Sequence, residues 1–247
     1  MSYPERAPVR RHALFVSLAI LLATPCLGRA SAQSRPPERE KLVEQTRRDS
    51  PRDTSLALVW WLPEELWEVV IQQPTPLPED QLAAFLGILR PYTIVAAADG
   101  HIGPLGGGNF VDEQTLRRSI VLVDASGREY GPLPDEKISP DARNLPALLG
   151  VPLAAMHGEL GKNIHFFFFP AKAVSGARIA DAKAEGHFSV RIRDEEFAWD
   201  LPLDAFRSPK FCPKDGKELP GSWSYCPWHG LKLRENESAV PEVPRTE

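Results

Sequence analysis

The most constraining feature of this sequence is a short pattern that occurs twice near its C-terminal end. Residues 211–219 (FCPKDGKEL) return as residues 225–233 (YCPWHGLKL), and both copies read aromatic-Cys-Pro-x-(Asp or His)-Gly-x-x-Leu. Pro fixes φ near the start of a tight turn, and Gly permits the positive φ that ends it. The pattern therefore predicts two small and similar turns, each of which begins with a Cys.

A second possible metal ligand follows each Cys by three positions, namely Asp215 and His229. This arrangement resembles the zinc ribbon, a family in which C-x-x-C knuckles lie on two small hairpins. The resemblance covers residues 211–233 and implies one structural Zn²⁺ bound by Cys212, Asp215, Cys226 and His229. The chain departs from the family pattern because Asp215 and His229 replace two of its four cysteines, and a carboxylate is a harder donor than a thiolate.

Other interpretations of the same residues remain open. Cys212 and Cys226 can instead form a disulfide, which an exported location favours. The module can also be held only by its aromatic residues and leucines, without metal. The stretch CPWHG matches the second half of a Rieske motif, but Lys214 stands where the first half requires His, so a two-iron cluster would lack half of its imidazole ligands.

The first 32 residues are predicted to be a signal peptide. Arg residues at positions 6, 10 and 11 precede the apolar run at 13–23, which is too short to span a bilayer comfortably. Ala30-Ser31-Ala32 supplies a small-x-small cleavage site, which predicts Gln33 as the mature N-terminus of an exported, periplasmic or secreted protein. Lipid attachment at Cys26 and an uncleaved anchor are the alternatives.

Net charge excludes one class of partner. Of the 29 basic and 33 acidic residues, four basic and one acidic lie in residues 1–32, which leaves a formal charge of −7 on residues 33–247. A nucleic-acid-binding protein requires a basic stripe, and the sequence has none. Cleavage would also leave Cys212 and Cys226 as the only cysteines.

The remaining chain divides by composition. Residues 33–54 are polar, charged and interrupted by Pro, and they are predicted to be a linker. Residues 234–247 are predicted to be a disordered tail. Between them, residues 55–208 form the predicted globular domain, followed by the zinc-ribbon-like module at 209–233.

Apolar periodicity within residues 55–208 predicts a β-rich α+β fold, an antiparallel sheet or sandwich core with two helical insertions. Alternation of Phe188, Val190 and Ile192, and then of Phe197, Trp199 and Leu201, predicts a closing hairpin. The other predicted strands lie at 56–63, 92–98, 118–133 (a hairpin) and 164–171, and the predicted helices lie near 79–90 and 141–160. The hairpins and the Phe-rich strand resemble exported immunoglobulin-like sandwiches, a resemblance that implies only a fold type.

No catalytic constellation can be named from the sequence. The Gly-rich stretch 99–110 lacks the spacing of a phosphate-binding loop and is predicted to connect strands. Trp60, Trp61 and Trp67 are candidates either for the wall of a ligand cleft or for the core.

These observations predict an exported, non-catalytic protein with a structural metal clip, which contacts a protein or the cell envelope. A periplasmic enzyme with its site in the β-rich domain, and an electron-transfer protein, are the rival functions.

Overall fold

The computed structural model describes residues 37–71, 76–105 and 107–235, which form α-helices and antiparallel β-sheets. The predicted α+β class with antiparallel sheets is therefore confirmed. The described residues contain six α-helices rather than two helical insertions: α1 (Pro37–Thr46), α2 (Glu64–Ile71), α3 (Glu79–Leu89), α4 (Glu113–Ser119), α5 (Pro140–Arg143) and α6 (Leu145–Lys162). The strands are β1 (Arg47–Asp49), β2 (Leu58–Trp61), β3 (Tyr92–Ala98), β4 (Gly100–Ile102), β5 (Gly108–Phe110), β6 (Ile120–Val123), β7 (Glu129–Tyr130), β8 (His165–Pro170), β9 (Gly186–Ile192), β10 (Glu195–Leu201), β11 (Lys210–Phe211) and β12 (Glu218–Leu219).

The first sheet has the strand order β1-β2-β3-β8, and all of its pairs are antiparallel. β3 has the bounds that its apolar run predicts, and its residues 93–98 are all buried. The four phenylalanines of β8, at positions 166–169, are buried as well. Because both faces of these strands are covered, their sequences are continuously apolar rather than alternating.

The second sheet has the order β10-β9-β6-β7 and is also antiparallel throughout. The closing hairpin is confirmed, since all six alternating residues from Phe188 to Leu201 are buried, at 4% exposure or less. The alternating residues predict a turn at Asp194-Glu195, but the turn lies one residue earlier: Ile192 pairs with Glu195, so Arg193 and Asp194 connect the strands. Arg193 has a φ of 54°, a backbone conformation that arginine seldom adopts.

Aromatic side chains join the two sheets. The ring of Trp61 on β2 lies edge-on against Phe188 on β9, with 4.8 Å between centroids. Trp61 also meets Trp199 on β10 at 6.4 Å. The main core of the protein therefore lies where these two sheets meet.

The linker prediction for 33–54 is wrong over most of its length. Residues 37–49 form α1 and β1, and β1 pairs with β2 as the edge strand of the first sheet. Leu42 is 2% exposed and Thr46 is 0% exposed. The hydroxyl of Thr46 donates to the Leu42 carbonyl and accepts a hydrogen bond from Trp60 Nε1 at 3.1 Å. This segment is polar because only one narrow stripe of it contacts the core.

The helix α4 was not predicted, although its N-terminus carries a recognisable cap. Asp112 precedes the helix, and its Oδ1 accepts a hydrogen bond from the Thr115 backbone N–H at 2.9 Å. The Gly-rich stretch 99–110 connects strands as predicted, but it does so as a small hairpin in which β4 pairs with β5.

Several predictions lie outside the described residues. These are the signal peptide with its alternatives at Cys26, the first residues of the linker, and the tail beyond 235.

Among the residues that the structure describes, each helix is too short or too polar to cross a lipid bilayer.

Candidate metal centre

The two copies of the repeated pattern form two turns with the same hydrogen bonds. Gly216 N–H donates to the Cys212 carbonyl at 2.9 Å, and Gly230 N–H donates to the Cys226 carbonyl at 2.8 Å. In both turns the Cys N–H donates in return to the carbonyl five residues later, at 3.0 and 2.8 Å. Gly216 and Gly230 have φ values of 71° and 63°, so each turn ends in the left-handed region that the Gly predicts.

Backbone pairing closes these turns into one small unit. Phe211 and Arg234 exchange two hydrogen bonds, at 2.7 and 2.9 Å, which joins the start of the unit to its end. Inside it, a separate apolar cluster is made by Cys212, Leu219, Cys226 and Leu233. Ser222 attaches the unit to the rest of the protein, since its Oγ donates to Asp204 Oδ2 at 2.8 Å.

Three of the four predicted ligands converge on one point. His229 Nδ1 lies 3.3 Å from Cys212 Sγ and 3.4 Å from Cys226 Sγ, and all three ligand atoms lie within 4.8 Å of one another. Zinc bonds of about 2.3 Å to sulfur and about 2.0 Å to nitrogen, at tetrahedral angles, separate such atoms by roughly 3.5 Å. The two nitrogen–sulfur separations therefore suit a bound metal ion.

The fourth predicted ligand, Asp215, lies at the edge of this cluster. Its Oδ2 is 3.8 Å from His229 Nδ1, and its Oδ1 accepts a hydrogen bond from the Lys217 N–H at 3.1 Å. A hydrogen bond from the Cys212 thiol is the largest of the effects that hold the pKa of Asp215 below its ordinary value. The carboxylate is thus ionised and close to the other donors, although its side chain is 42% exposed.

The sulfur of Cys212 lies in the environment expected of a knuckle. Burial is the main cause that raises the pKa of its thiol, and the neighbouring Asp215 and Cys226 raise it further. The backbone N–H groups of Lys214 and Asp215 donate hydrogen bonds to the sulfur and act in the opposite direction. These donors would stabilise the thiolate that a metal requires. Because the pKa of the thiol is nevertheless raised, Cys212 would release a proton when it binds a metal.

Cys212 and Cys226 are both buried free thiols in the structure. Their sulfurs lie close to the same point. The geometry is therefore compatible both with a shared metal ion and with a disulfide between these two cysteines.

Polar and aromatic residues of the globular domain lie outside the two repeated turns. His101 is exposed on β4. The turn carboxylate of Asp194 forms an ion pair with Arg52 at 3.0 Å. Trp60 donates to Thr46, while Trp61 and Trp67 line a cavity beside α2.

One pair of ionisable residues, His165 and Glu113, has no signal in the sequence. His165 Nδ1 lies 3.9 Å from Glu113 Oε2 on α4, and burial is the main cause that lowers the pKa of the imidazole. Fifty-two positions separate the two residues, so no local pattern signals the contact.

Comparison of the chain with protein-family models, with curated proteins and with solved structures found no match.

Proposed function

We propose that residues 209–233 form a zinc-ribbon-like module whose Zn²⁺ is bound by Cys212, Asp215, Cys226 and His229. The observation that carries this proposal is the convergence of Cys212, Cys226 and His229 from two like turns, with nitrogen–sulfur separations that suit tetrahedral zinc. Asp215 Oδ2 lies 3.8 Å from His229 Nδ1, so a small movement of this side chain would complete the ligand set.

The role of this zinc is structural. Four protein ligands leave no open position at which a substrate or a water molecule could react. The module needs such a clip because its apolar cluster consists of only four buried residues, two of which are the cysteines themselves.

We further propose that the two four-stranded sheets pack as an immunoglobulin-like sandwich. The contacts of Trp61 with Phe188 and Trp199 support this arrangement, since they join the inner faces of the two sheets. The module would then be an appendage to an independently folded domain.

The protein as a whole is proposed to be an exported, non-catalytic interaction protein that contacts a protein or the cell envelope. The support is a set of exposed side chains on the module, called here the aromatic face, which consists of Trp223, Tyr225, Trp228 and Leu231. All four lie within residues 223–231, and exposed aromatic side chains are enriched at binding surfaces. Four lysines against two acids in residues 209–233 make the module basic, and Lys217 Nζ lies 3.8 Å above the Trp228 ring.

Metal analysis of protein purified without chelator tests the zinc proposal. We expect about one zinc per chain and two thiols that react with a disulfide reagent only after the metal is removed. His229→Ala should lower the zinc content, whereas Lys214→Ala, on an exposed residue of the first turn, should leave it unchanged.

A metal-free protein that contains an intact Cys212–Cys226 bond, recovered from its native compartment, would refute the zinc proposal in favour of the disulfide. Metal-free protein with two reactive thiols would favour the third interpretation, in which the module is held only by its aromatic residues and leucines. A visible absorption spectrum distinguishes an electron-transfer protein from a zinc protein, because an iron–sulfur cluster is coloured and a zinc site is not.

Affinity capture from the envelope fraction of the native host tests the interaction. The bait with Trp228→Ser should lose the partners that the unaltered protein retains. Val174→Ser is the matched control, since Val174 is an exposed apolar residue far from the module in sequence. Equal capture by all three baits would show that the aromatic face is not the binding surface.

A further inference from the structure

A cavity of about 320 Å³ lies beside the first sheet, away from the metal centre. Helices α2 and α3, the strand β3 and the segment 178–183 supply its walls. Sites for small molecules occupy clefts of about 300–1,000 Å³, so this cavity has the size of a site for a small ligand.

The apolar part of the cavity lining is called here the floor. Trp61, Leu86 and Leu89 belong to it and are almost fully buried. Trp67 also lines the cavity, and its indole N–H is shielded from solvent and has no hydrogen-bond partner among the described residues. Buried indole N–H groups are normally paired, so a ligand with an acceptor oxygen could pair with this group if the Trp67 side chain turned toward the cavity.

The rim of the cavity carries charges of both signs. Its ionisable side chains are Glu64, Glu65, Glu68, Arg90, Arg178, Asp181 and Lys183. Two pairs neutralise each other: Arg90 Nε donates to Glu64 Oε2 at 3.1 Å, and Lys183 Nζ lies 3.3 Å from Glu65 Oε1. Hydrogen bonds from Arg90 are the main cause that holds the pKa of Glu64 below its ordinary value.

Three charged side chains of the rim lie outside these close pairs. Within the described part of the chain, Arg178, Glu68 and Asp181 form no ion pair within 4.0 Å. Arg178 acts on Glu64 and Glu68 acts on Arg90 at longer range, and Asp181 Oδ1 accepts a hydrogen bond from the Lys183 N–H at 3.0 Å. The rim thus offers one cation and two carboxylates that a ligand could pair with at close range. A polyanion such as a nucleoside phosphate would meet the two carboxylates, and a purely apolar molecule would desolvate all three charges.

We propose that this cavity binds a small zwitterion with an apolar side chain, namely a free amino acid or a short peptide. The carboxylate of the ligand pairs with Arg178, its ammonium group pairs with Glu68 and Asp181, and its side chain lies against the floor. Arg is suited to this role because its planar guanidinium binds a carboxylate through two parallel hydrogen bonds. This site is independent of the zinc centre.

Titration calorimetry with the dipeptide Leu-Phe, its N-acetyl form and its C-terminal amide tests the proposal. The free dipeptide should bind saturably, and each blocked form should bind about tenfold more weakly or worse, because each loses one charge pair. The indole N–H resonance of Trp67, assigned by its loss in Trp67→Phe, should shift when the free dipeptide binds.

Variants separate the two ends of the ligand. Arg178→Gln should lower the affinity for the free dipeptide to that for the amide and leave the affinity for the amide unchanged. Glu68→Gln should lower the affinity for the free dipeptide to that for the acetylated form and leave the affinity for the acetylated form unchanged. Arg128→Gln, on an exposed arginine outside the cavity, is the control. Circular dichroism and thermal unfolding confirm that the variants are folded. Absence of saturable binding by all three probes, or equal affinity for them, would overturn the proposal.

Discussion

The rings of Phe188 and Trp199 stack face to face across the closing hairpin, with 5.0 Å between centroids and 7° between planes. They are directly paired residues on β9 and β10, and both are buried. The indole N–H of Trp199 also donates to the Gln45 carbonyl on α1 at 3.1 Å. One side chain therefore holds together the hairpin, the sheet interface and the N-terminal helix.

Trp199→Ala should lower the free energy of unfolding by about 3–5 kcal/mol, because it leaves a large cavity in the core. Denaturant unfolding measures the change. Trp223→Ala is the matched control, since Trp223 is 40% exposed, and it should cost less than about 1 kcal/mol. Equal losses for the two variants would contradict the assignment of the core face.

Asp124→Asn should destabilise the turn between β6 and β7 in a pH-dependent way. Burial acts to raise the pKa of Asp124, but hydrogen bonds from the Ser126 and Tyr130 hydroxyls and from nearby backbone N–H groups outweigh it and hold the pKa at about 2. A depressed carboxyl pKa stabilises the fold above the unfolded-state value of about 3.9, and this stability is lost as the pH falls toward 2.

At pH 7 we expect Asp124→Asn to cost about 1–2 kcal/mol, a range that allows for solvent screening of this turn. The difference from the unaltered protein should shrink as the pH falls below about 4. Asp135→Asn, at an exposed position, serves as the control. A difference that stays constant from pH 7 to strongly acidic conditions would mean that the carboxylate charge contributes nothing.

If the module binds zinc as proposed, removal of the metal with a chelator should affect only the module. Amide hydrogens within residues 209–235 should lose protection in hydrogen exchange, because the four-residue cluster of the module is too small to hold the turns. The amides of β9 and β10 should stay protected, since the main core does not include the module. Loss of protection throughout the chain would show that the two parts fold as one unit.

Gly230→Ala should weaken zinc binding by roughly tenfold, because an L-residue with a side chain at this positive φ costs about 1–2 kcal/mol. No neighbouring atom would touch the added Cβ, so the strain is conformational only. Gly230→Asn should recover most of the affinity, since Asn tolerates the left-handed region. Equal affinities for the Ala and Asn variants would point away from this explanation. Competition with a chromogenic chelator measures the zinc affinity of the unaltered protein and of the two variants.

Export with cleavage after Ala32 predicts a mature protein that begins at Gln33. N-terminal sequencing of the protein from the periplasm or medium checks this. An intact residue 1–32 segment in the membrane fraction would instead support the uncleaved anchor.

Alternating or continuous apolar runs made β3, β8 and the closing hairpin predictable, because burial on one or both faces imposes those patterns directly. The turn of the hairpin was displaced by one residue, since Arg193 adopts a positive φ that its side chain does not indicate. Helix α1 was missed because it is held by contacts with distant residues, such as the bond from Trp199 to Gln45. The apolar content of α1 itself is too low to predict a helix that packs against the core.

The cluster of Cys212, Cys226 and His229 was also predictable in part from the sequence. Local spacing brings the Cys of each turn and the residue three positions later toward one side, and pairing of the turns brings Cys212 and Cys226 to His229. The distance of Asp215 from this cluster depends on how its side chain shares hydrogen bonds between Lys217 and the Cys212 thiol, which no sequence pattern specifies.

The mutual hydrogen bonds between Phe211 and Arg234 have a consequence for protein engineering. A hydrogen-bonded antiparallel pair holds its two Cα atoms about 5.5 Å apart, so the chain enters and leaves the module at nearly the same place. Because its ends lie close together, the segment 211–234 can be replaced by a short hairpin loop without displacing the residues next to it. The same residues can equally be grafted into an exposed hairpin of another protein, where they would carry the proposed metal site and the aromatic face as one insert.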